Sequence, residues 1–569
     1  MWNSAAESRR TSTVLTTAAA VLMAWACGCS PAGPPGPGVA TNVAEAPVSA
    51  PALPAPAPGG GFTDVTLAAG ITTRHLLPGD DLGNIVDSLG AGAAFVDVDG
   101  DGWLDLIVAG GPLSPAATGS SPHAGLHLYR NLTDGRFADA TAASGLPARA
   151  TAVAVAVGDA DGDGHPDIYL VDRGPNRLFL NQGDGTFNET TRAAGVGDAL
   201  FGVGAVFFDM DGDGDQDLYV TNYLEFDPRQ TAHFSPDAFP GPLAYAAHAD
   251  VVYRNRGDGT FEDVSRAAGV ADLAGRGMSL AAADFDDDGD TDLFVANDAT
   301  TNFLLINDGQ GVFAEQGLLA GVAMSENGEQ TATMSATVGD VDGDGQADLL
   351  VSDTSYGAFY RRTGPARFSD DVMSSGLARL SGQYVSWGQT LLDFDNDGLL
   401  DLFVVNGGMH HLVGWEDTLL RNTGGGQFED SSFTAGDYFA DRQVGRCVVS
   451  GDYDNDGDLD LFITVNGGRP YLLRNDLPAT AAWLVLDLKR GDGRAPLGAR
   501  VSVLADGTRH SAEWRSPSTY LGQSDARLHF GLSPAVDTVE QIEILWPGGR
   551  RQVLRDLPAG RIHQIEEPS

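Results

Sequence analysis

Short apolar runs recur along the body of the chain, each stopped by Gly, Asp or Asn before a helical stride can develop. Four runs make one unit. An apolar run leads into an acidic loop, and a second run leaves it, as Leu106-Ile-Val-Ala does after the first loop. A phrase of the form L-Y-R-N follows, then one of the form F-x-D. These last two read Leu128-Tyr-Arg-Asn131 with Phe137-Ala-Asp139, Leu178-Phe-Leu-Asn181 with Phe187-Asn-Glu189, and Val252-Tyr-Arg-Asn255 with Phe261-Glu-Asp263. Later copies are Leu304-Leu-Ile-Asn307 with Phe313, Phe359-Tyr-Arg-Arg362 with Phe368, and Leu419-Leu-Arg-Asn422 with Phe428. Runs of this length between turn residues are strands. Four antiparallel strands with Gly-rich joints describe a propeller blade, and repeats of this size bury their faces only against neighbours.

The pattern also predicts how the ring closes. The seventh unit has Leu472-Leu-Arg-Asn475 but no F-x-D phrase after it. That phrase stands at the other end, as Phe62-Thr-Asp-Val-Thr66 followed by Ala68-Ala-Gly70, matching Phe261-Glu-Asp-Val-Ser265 followed by Ala267-Ala-Gly269. The N-terminal strand should complete the last blade and remove an open sheet edge. The expected fold is all-β: a seven-bladed β-propeller over residues 61–477, at about 59 residues per blade, then a smaller β domain over 478–569.

The acidic loops read D-x-D-x-D-G-x-x-D. The carboxylates are Asp97, Asp99, Asp101 and Asp105 in the first loop, Asp159, Asp161, Asp163 and Asp167 in the second, and Asp209, Asp211, Asp213 and Asp217 in the third. Next come Asp284, Asp286, Asp288 and Asp292, then Asp340, Asp342, Asp344 and Asp348. The last two loops carry Asp393, Asp395, Asp397 and Asp401, and Asp452, Asp454, Asp456 and Asp460. Position 6 is Gly in all seven, where a calcium loop needs its sharp turn. Four hard anionic oxygens within nine residues suit a hard cation of flexible geometry, so we expect up to seven Ca²⁺. An Asp-rich turn without metal accounts for one loop, but seven complete copies point to a cation. The EF-hand carries Glu at position 12, whereas here that position is apolar, inside a strand.

Composition sharpens this picture. The 569 residues carry 78 Asp and Glu against 34 Lys and Arg, a formal net charge of −44. Seven bound Ca²⁺ would leave about −30. Such a surface argues against nucleic acid and against electrostatic attachment to an anionic membrane.

At the N-terminus, Arg9 and Arg10 precede an apolar stretch from Val14 to Ala26, too short to span a bilayer. It ends at Cys27 and Cys29, among small residues, which resembles a bacterial lipoprotein signal over residues 1–29. One of the two cysteines is the expected lipidation site, with cleavage and plain secretion as the alternative. Residues 30–60, rich in Pro, Ala and Gly, read as a tether. The expected location is therefore outside the cytoplasm, lipid-anchored at the envelope or secreted. Cys447 alone remains in the body, so no internal disulfide forms, and it reads as a small buried apolar residue.

Beyond Asp476-Leu-Pro the repeat stops. Trp483-Leu-Val-Leu-Asp-Leu488, Ala499-Arg-Val-Ser-Val503, Val539-Glu-Gln-Ile-Glu-Ile-Leu-Trp546 and Ile562-His-Gln-Ile565 read as strands of a sandwich-like domain. The Asp loops with L-Y-R-N and G-D-G-T-F resemble FG-GAP/VCBS repeats, a type also found in integrin α-chain propellers. The tail is similar to the ASPIC/UnbV domain through Leu497-Gly-Ala-Arg-Val501, Tyr520-Leu-Gly-Gln-Ser-Asp525, Arg527-Leu-His-Phe-Gly-Leu532 and Trp546-Pro-Gly-Gly549. Gly522 stands where that pattern leads us to expect a small polar residue. The combination resembles bacterial relatives of the cartilage acidic protein family, which implies an extracytoplasmic Ca²⁺-binding protein.

The chain has no G-x-S-x-G, H-E-x-x-H, Walker or C-x-x-C motif. The reading is a monomeric, non-enzymatic binding or adhesion module for an envelope or extracellular glycan or protein. The alternative is a secreted hydrolase or lyase acting on glycans or esters. Two stretches interrupt the repeat, at 222–250 and 406–417, each after the second strand of its blade. They should lie on the face opposite the Asp loops. Long loops on a rigid scaffold carry function, so Phe226, Tyr245, His410, His411 and Trp415 are candidate ligand residues. Mutual packing of the two loops as a structural lid is the other reading.

Overall fold

Each stretch of alternating apolar residues folds as an antiparallel hairpin around its acidic loop. In a computed structural model, residues 52–55, 60–110, 125–231, 238–325, 327–476 and 482–568 are described. Cys27, Cys29, the leader, most of the tether and residues 232–237 of the first insertion lie outside them. Blade 1 is Ala93–Val96, Asp105–Val108, His127–Asn131 and Phe137–Asp139, paired in that order. Among the described residues seven four-stranded sheets of this kind occur, one with the short strand Thr331–Ala332 added. The first strands contact one another in a cycle. Ala93–Val96 meets Ala152–Gly158, which meets Gly202–Phe208, then Gly277–Ala283, Ala336–Gly339, Ser386–Leu392 and Gly445–Gly451, which returns to Ala93–Val96.

The predicted closure is present. Phe62–Asp64 pairs antiparallel with Tyr471–Asn475 of blade 7, with Phe62 opposite Asn475 and Asp64 opposite Leu473. Phe62 is buried beside Phe394 and Phe439. Cys447 is free and fully buried in a first strand, as a small apolar residue would be. Among the described residues, no helix is long and apolar enough to cross a membrane.

The C-terminal region forms two sheets around Leu484, Leu486, Val501, Val503, Ile542 and Trp546. To the four strands read from sequence, the structure adds Thr508–Glu513, Leu528–Leu532 and Arg551–Pro558.

Between Thr508–Glu513 and Leu528–Leu532 the chain leaves this sandwich and enters the ring. Gln523 exchanges backbone hydrogen bonds with blade 1: its N–H donates to the Ala93 carbonyl at 3.0 Å, and its carbonyl accepts from Phe95 at 3.2 Å. Its side chain bonds both backbone groups of Val157 in blade 2, at 2.9 and 3.2 Å. Ser516 donates to the Phe207 carbonyl in blade 3 at 2.8 Å, Ser518 to Leu280 in blade 4 at 2.6 Å, and Thr519 to Val448 in blade 7 at 2.9 Å. Tyr520, fully buried, lies against Trp387 of blade 6 with ring centroids 5.7 Å apart. The segment thus plugs the middle of the ring. This explains Gly522: a Cβ there would stand 2.3 Å from the Ala93 carbonyl oxygen and 2.8 Å from Cys447 Sγ, so no side chain fits.

Candidate functional site: acidic loops beneath a C-terminal cap

The nine residues of each loop divide the work. The position 1 carboxylate accepts from the N–H of the position 6 Gly, at 2.8 Å for Asp97 and Asp393 and 3.0 Å for Asp284 and Asp452. The position 5 carboxylate accepts from the N–H two residues on, as Asp163 does from His165 at 2.9 Å. Position 9 plays a different part. One oxygen of Asp167 accepts from Ala160 N–H of its own loop at 2.7 Å, and the other from Asn181 N–H at the end of the third strand at 2.7 Å. Asp105, Asp217, Asp292, Asp348, Asp401 and Asp460 repeat this bridge.

The closing Asn of L-Y-R-N then ties blade to blade, a role the sequence reading missed. Asn181 Nδ2 donates to the Val98 carbonyl in the loop of blade 1 at 2.8 Å. Asn255, Asn307, Asn422 and Asn475 reach back to Ala160, Met210, Val341 and Phe394. Asn131 reaches Tyr453 of blade 7 at 2.8 Å, which continues the series across the closure. In blade 5, Arg362 takes the Asn's place and donates to the Asp284 carbonyl at 3.2 Å.

After these bonds, oxygens are left over. Oδ1 of Asp99, Asp161, Asp211, Asp395 and Asp454, all at position 3, is buried without a hydrogen-bond partner, as is Oδ1 of Asp159 and Asp340 at position 1. In the loops of blades 1 to 5, three carboxylates each bring an oxygen within 4.8 Å of the others. In blades 1 and 5 these are positions 1, 3 and 5, and in blades 2, 3 and 4 positions 1, 3 and 9. Burial, with like charges adding to it, pushes carboxylates of the loops upward, Asp159 and Asp340 to about 6, Asp393 of blade 6 to about 8 and Asp401 to about 9, and Asp452 of blade 7 rises to about 8 despite the Arg527 guanidinium nearby. An all-oxygen anionic donor set with orphaned lone pairs fits Ca²⁺.

The loops differ in their cationic neighbours. The Arg of L-Y-R-N pairs with position 3 in three blades: Arg130 with Asp99, Arg254 with Asp211 at 3.2 Å, and Arg421 with Asp395 at 2.6 Å. Blades 2 and 4 carry Leu180 and Ile306 there. The C-terminal domain lies over this face. Arg500 pairs with Asp284 and Arg494 with Asp215, while Arg490 donates to the Gly214 carbonyl at 3.3 Å. Arg527 donates to the Asp452 carbonyl at 2.9 Å, and His529 Nε2 lies 3.0 Å from that of Gly457.

On the opposite face the two insertions meet: the Phe239 ring packs against His410 with centroids 4.7 Å apart. Each candidate ligand residue already has a neighbour. Phe226 and Tyr245 pack at 5.7 Å, with Tyr245 only 7% exposed, and Trp415 meets Tyr384 at 5.9 Å. His411 Nδ1 lies 2.9 Å from Asp81.

A ring of blades carrying D-x-D-x-D-G-x-x-D loops beneath a small β cap defines a class. "FG-GAP-like repeat" matches residues 97–170, 159–220, 243–295, 284–351 and 393–463, more than half of the chain, and "ASPIC and UnbV" matches 489–569. The chain belongs to the FG-GAP repeat family and carries a C-terminal ASPIC/UnbV domain. It is similar to cartilage acidic protein 1 of Homo sapiens, 25% identical over 334 residues, covering 55% of this chain and 47% of that protein. The Mus musculus protein of the same name is 26% identical over 335 residues, at 55% and 48%. The chain thus spans about half the length of these relatives. Similar solved structures include an Agrocybe aegerita lectin specific for non-reducing terminal N-acetylglucosamine (17% identity, TM-score 0.39, 67% of this chain and 87% of that one). The BP39L lectin from Burkholderia pseudomallei is another (14%, 0.39, 68% and 96%).

Proposed function

We propose that the protein is an extracytoplasmic, calcium-stabilised binding module, lipid-anchored through Cys27 or Cys29 or secreted, that recognises an envelope or extracellular glycan or protein as a monomer. The observation that carries the calcium reading is the set of buried position 3 oxygens that no N–H satisfies. Seven loops of one design would bind seven ions, each supplied with oxygens by positions 1, 3, 5 and 9. The ions neutralise buried like charges, and through the bridges at position 9 and the Asn they stiffen the seam between blades. The chemistry Ca²⁺ supplies here is charge compensation and fixed geometry. The chain's own part is a rigid frame that presents loops and a cap.

Titration calorimetry of the chelator-stripped chain with CaCl₂ tests the metal. Several equivalents binding with Kd of roughly 10⁻⁴–10⁻³ M are expected, and no heat of binding would overturn the reading. Screening the loaded protein against envelope polysaccharides, for both retention and product release, tests the module. Retention without turnover is expected, and product release would move the protein to the hydrolases.

A further inference from the structure

The cap does not cover the Asp face evenly. Its residues crowd the loops of blades 2, 3, 6 and 7: a Cβ on Gly164, Gly214, Gly398 or Gly457 would fall within 3.0 Å of cap atoms. At Gly343 and Gly345 of blade 5 nothing lies within 4 Å. Over blade 5 the gap between cap and ring opens into a cavity of about 580 Å³, walled by blades 4 to 6, the strand Thr508–Glu513 and the base of the plug. That volume falls within the ordinary range for small-molecule sites.

The wall carries seven carboxylates and five arginines, most of them already engaged. Asp287 pairs with Arg362 at 2.9 Å, Asp525 with Arg527 at 2.8 Å, Glu543 with Arg551 at 2.5 Å, and Asp284 with Arg500. Asp340 and Asp393 belong to the acidic loops. Arg509 and Arg515 remain, against Glu513 and, for Arg509, the field of Glu543, whose ion-pair partner Arg551 stands off the wall. Among the described residues neither arginine has a carboxylate within ion-pair distance. Arg509 donates only to the Ser502 hydroxyl at 2.5 Å, and Nη1 of Arg515 is buried with no hydrogen-bond partner. Arg509 is exposed and hydrated, whereas Arg515 is half-buried, so the cost of a missing partner falls on the buried Nη1 of Arg515. On a chain with net charge −44 an unpaired guanidinium is also out of keeping with its surroundings. Guanidinium matches carboxylate in a two-pronged fork. Ser511, Thr337 and Thr390, also on the wall, suit a ligand rich in hydroxyls.

We infer that this cavity is a binding site for a carboxylate-bearing saccharide, with Arg515 and Arg509 holding the carboxylate. The inference rests on the binding-module reading and names its ligand class and place. It also explains what the cap is for, since cap and ring each supply one wall and neither makes the site alone. Calcium in the neighbouring loops of blades 4 to 6 would offset the nearby Asp carboxylates and favour an anionic guest.

The test is calorimetry of the full chain in excess calcium with a uronic-acid disaccharide and with its neutral counterpart. Binding of the uronate, at least tenfold weaker or absent for the neutral sugar, is expected. Arg515→Ala and Arg509→Ala should each weaken uronate binding about tenfold or more, and Arg515→Lys, which keeps the charge and loses the fork, should weaken it less. Arg561→Ala, on the cap but away from the cavity wall, should leave it unchanged. Melting curves of each variant check that the cap stays folded. No uronate binding by the wild type, or equal binding by Arg515→Ala, overturns the inference. The wider reading has a separate outcome: another glycan bound equally by wild type and Arg515→Ala keeps the module and discards this site.

Discussion

The two faces of the ring are built from the same seven blades and held by different physics. On one face, hairpin turns gather carboxylates, and the forces are charge, N–H donors and the arginines of the cap. On the other, the chain crosses between strands through longer insertions, and the contacts are rings against rings: Phe239 with His410, Phe226 with Tyr245, Trp415 with Tyr384. The blade itself makes the division, because strand direction alternates and so one end of every hairpin is a tight acidic turn. The Asp face should therefore respond to metal, and the opposite face should not. The cap reflects the same division: its sequence from Ala482 onward holds eleven Arg and Lys against eleven Asp and Glu, while the rest of the chain carries the whole net charge.

Chelation should give the largest effect. A site filled at about ten times its Kd adds about 1.4 kcal/mol to folding. Several such sites acting together should lower the melting temperature by on the order of 10 °C when stripped. Identical thermal melts with EDTA and with excess calcium would remove the metal from the Asp face and with it the contrast between faces.

The plug comes next. Gly522→Val places a side chain where even a Cβ overlaps the Ala93 carbonyl, and overpacking of this kind costs about 1–3 kcal/mol or more. The cost should persist in saturating calcium, since it lies in packing. A melt unchanged from wild type would mean that the segment does not enter the ring.

The seam between blades should be worth less per residue. Asn181→Ala removes donors to the Val98 and Pro166 carbonyls and should cost about 1–3 kcal/mol, because buried acceptors are left unsatisfied. The same substitution at Asn131 should cost at least as much, since it breaks the link to Tyr453 where the ring closes. If Asn131→Ala is silent in denaturant melts while Asn181→Ala is not, the seam does not run through the closure.

These targets differ in how far the sequence exposed them. The strands, the seven loops and the closing strand at Phe62 were legible because each rests on a repeated period or on one missing phrase. The Asn of L-Y-R-N stood in plain view six times, but its partner lies in the preceding blade, and no local pattern names that carbonyl. The plug was not legible at all. Ser516-Pro-Ser-Thr has neither strand alternation nor a helical stride, and its hydroxyls find their acceptors only once the ring exists. Gly522, which departed from the expected motif, was the visible clue. Position 9 was read as a cation ligand, and the structure gives its oxygens a second role in pinning the third strand. The leader and the cysteines at 27 and 29 remain a reading of sequence.

The opposite face has a titration of its own. Asp417, fully buried, accepts from Asn406 N–H at 2.7 Å and from the Tyr438 hydroxyl, yet burial pushes it up to about 7. A carboxyl raised in the folded state takes up a proton there between roughly pH 4 and 7 that the unfolded chain does not. Stability from this group is therefore present at low pH and lost as pH rises towards 7. The Asp loops are raised as well, but bound calcium favours their charged form and removes that dependence. In excess calcium, melts of the wild type should decline from pH 5 to 7.5, and Asp417→Asn should make the decline shallower, the remainder coming from Asp250 and Asp298, which burial raises to about 7 and about 6. Equal slopes for the two proteins would place the titration elsewhere.

The smallest expected effect decides between the two readings of the insertions. Trp415 is half-buried against Tyr384, and its backbone pairs with Gln443 in both directions, at 2.8 and 2.9 Å. His411 reaches Asp81 at a site where both side chains are about half exposed, so that contact is screened and contributes little. Replacing both by Ala should shift the calcium-loaded melt by only about 1–2 °C, because the backbone pairing survives and little apolar area is lost. If the face holds a ligand, the same pair of substitutions should abolish retention of whichever envelope glycan or protein the screen finds, since an aromatic plane beside a polar imidazole is the kind of anchor such ligands use. Retention that is unchanged, or a melt that collapses instead, returns Trp415 and His411 to the lid, and leaves recognition to the face where the cap and the Asp loops meet.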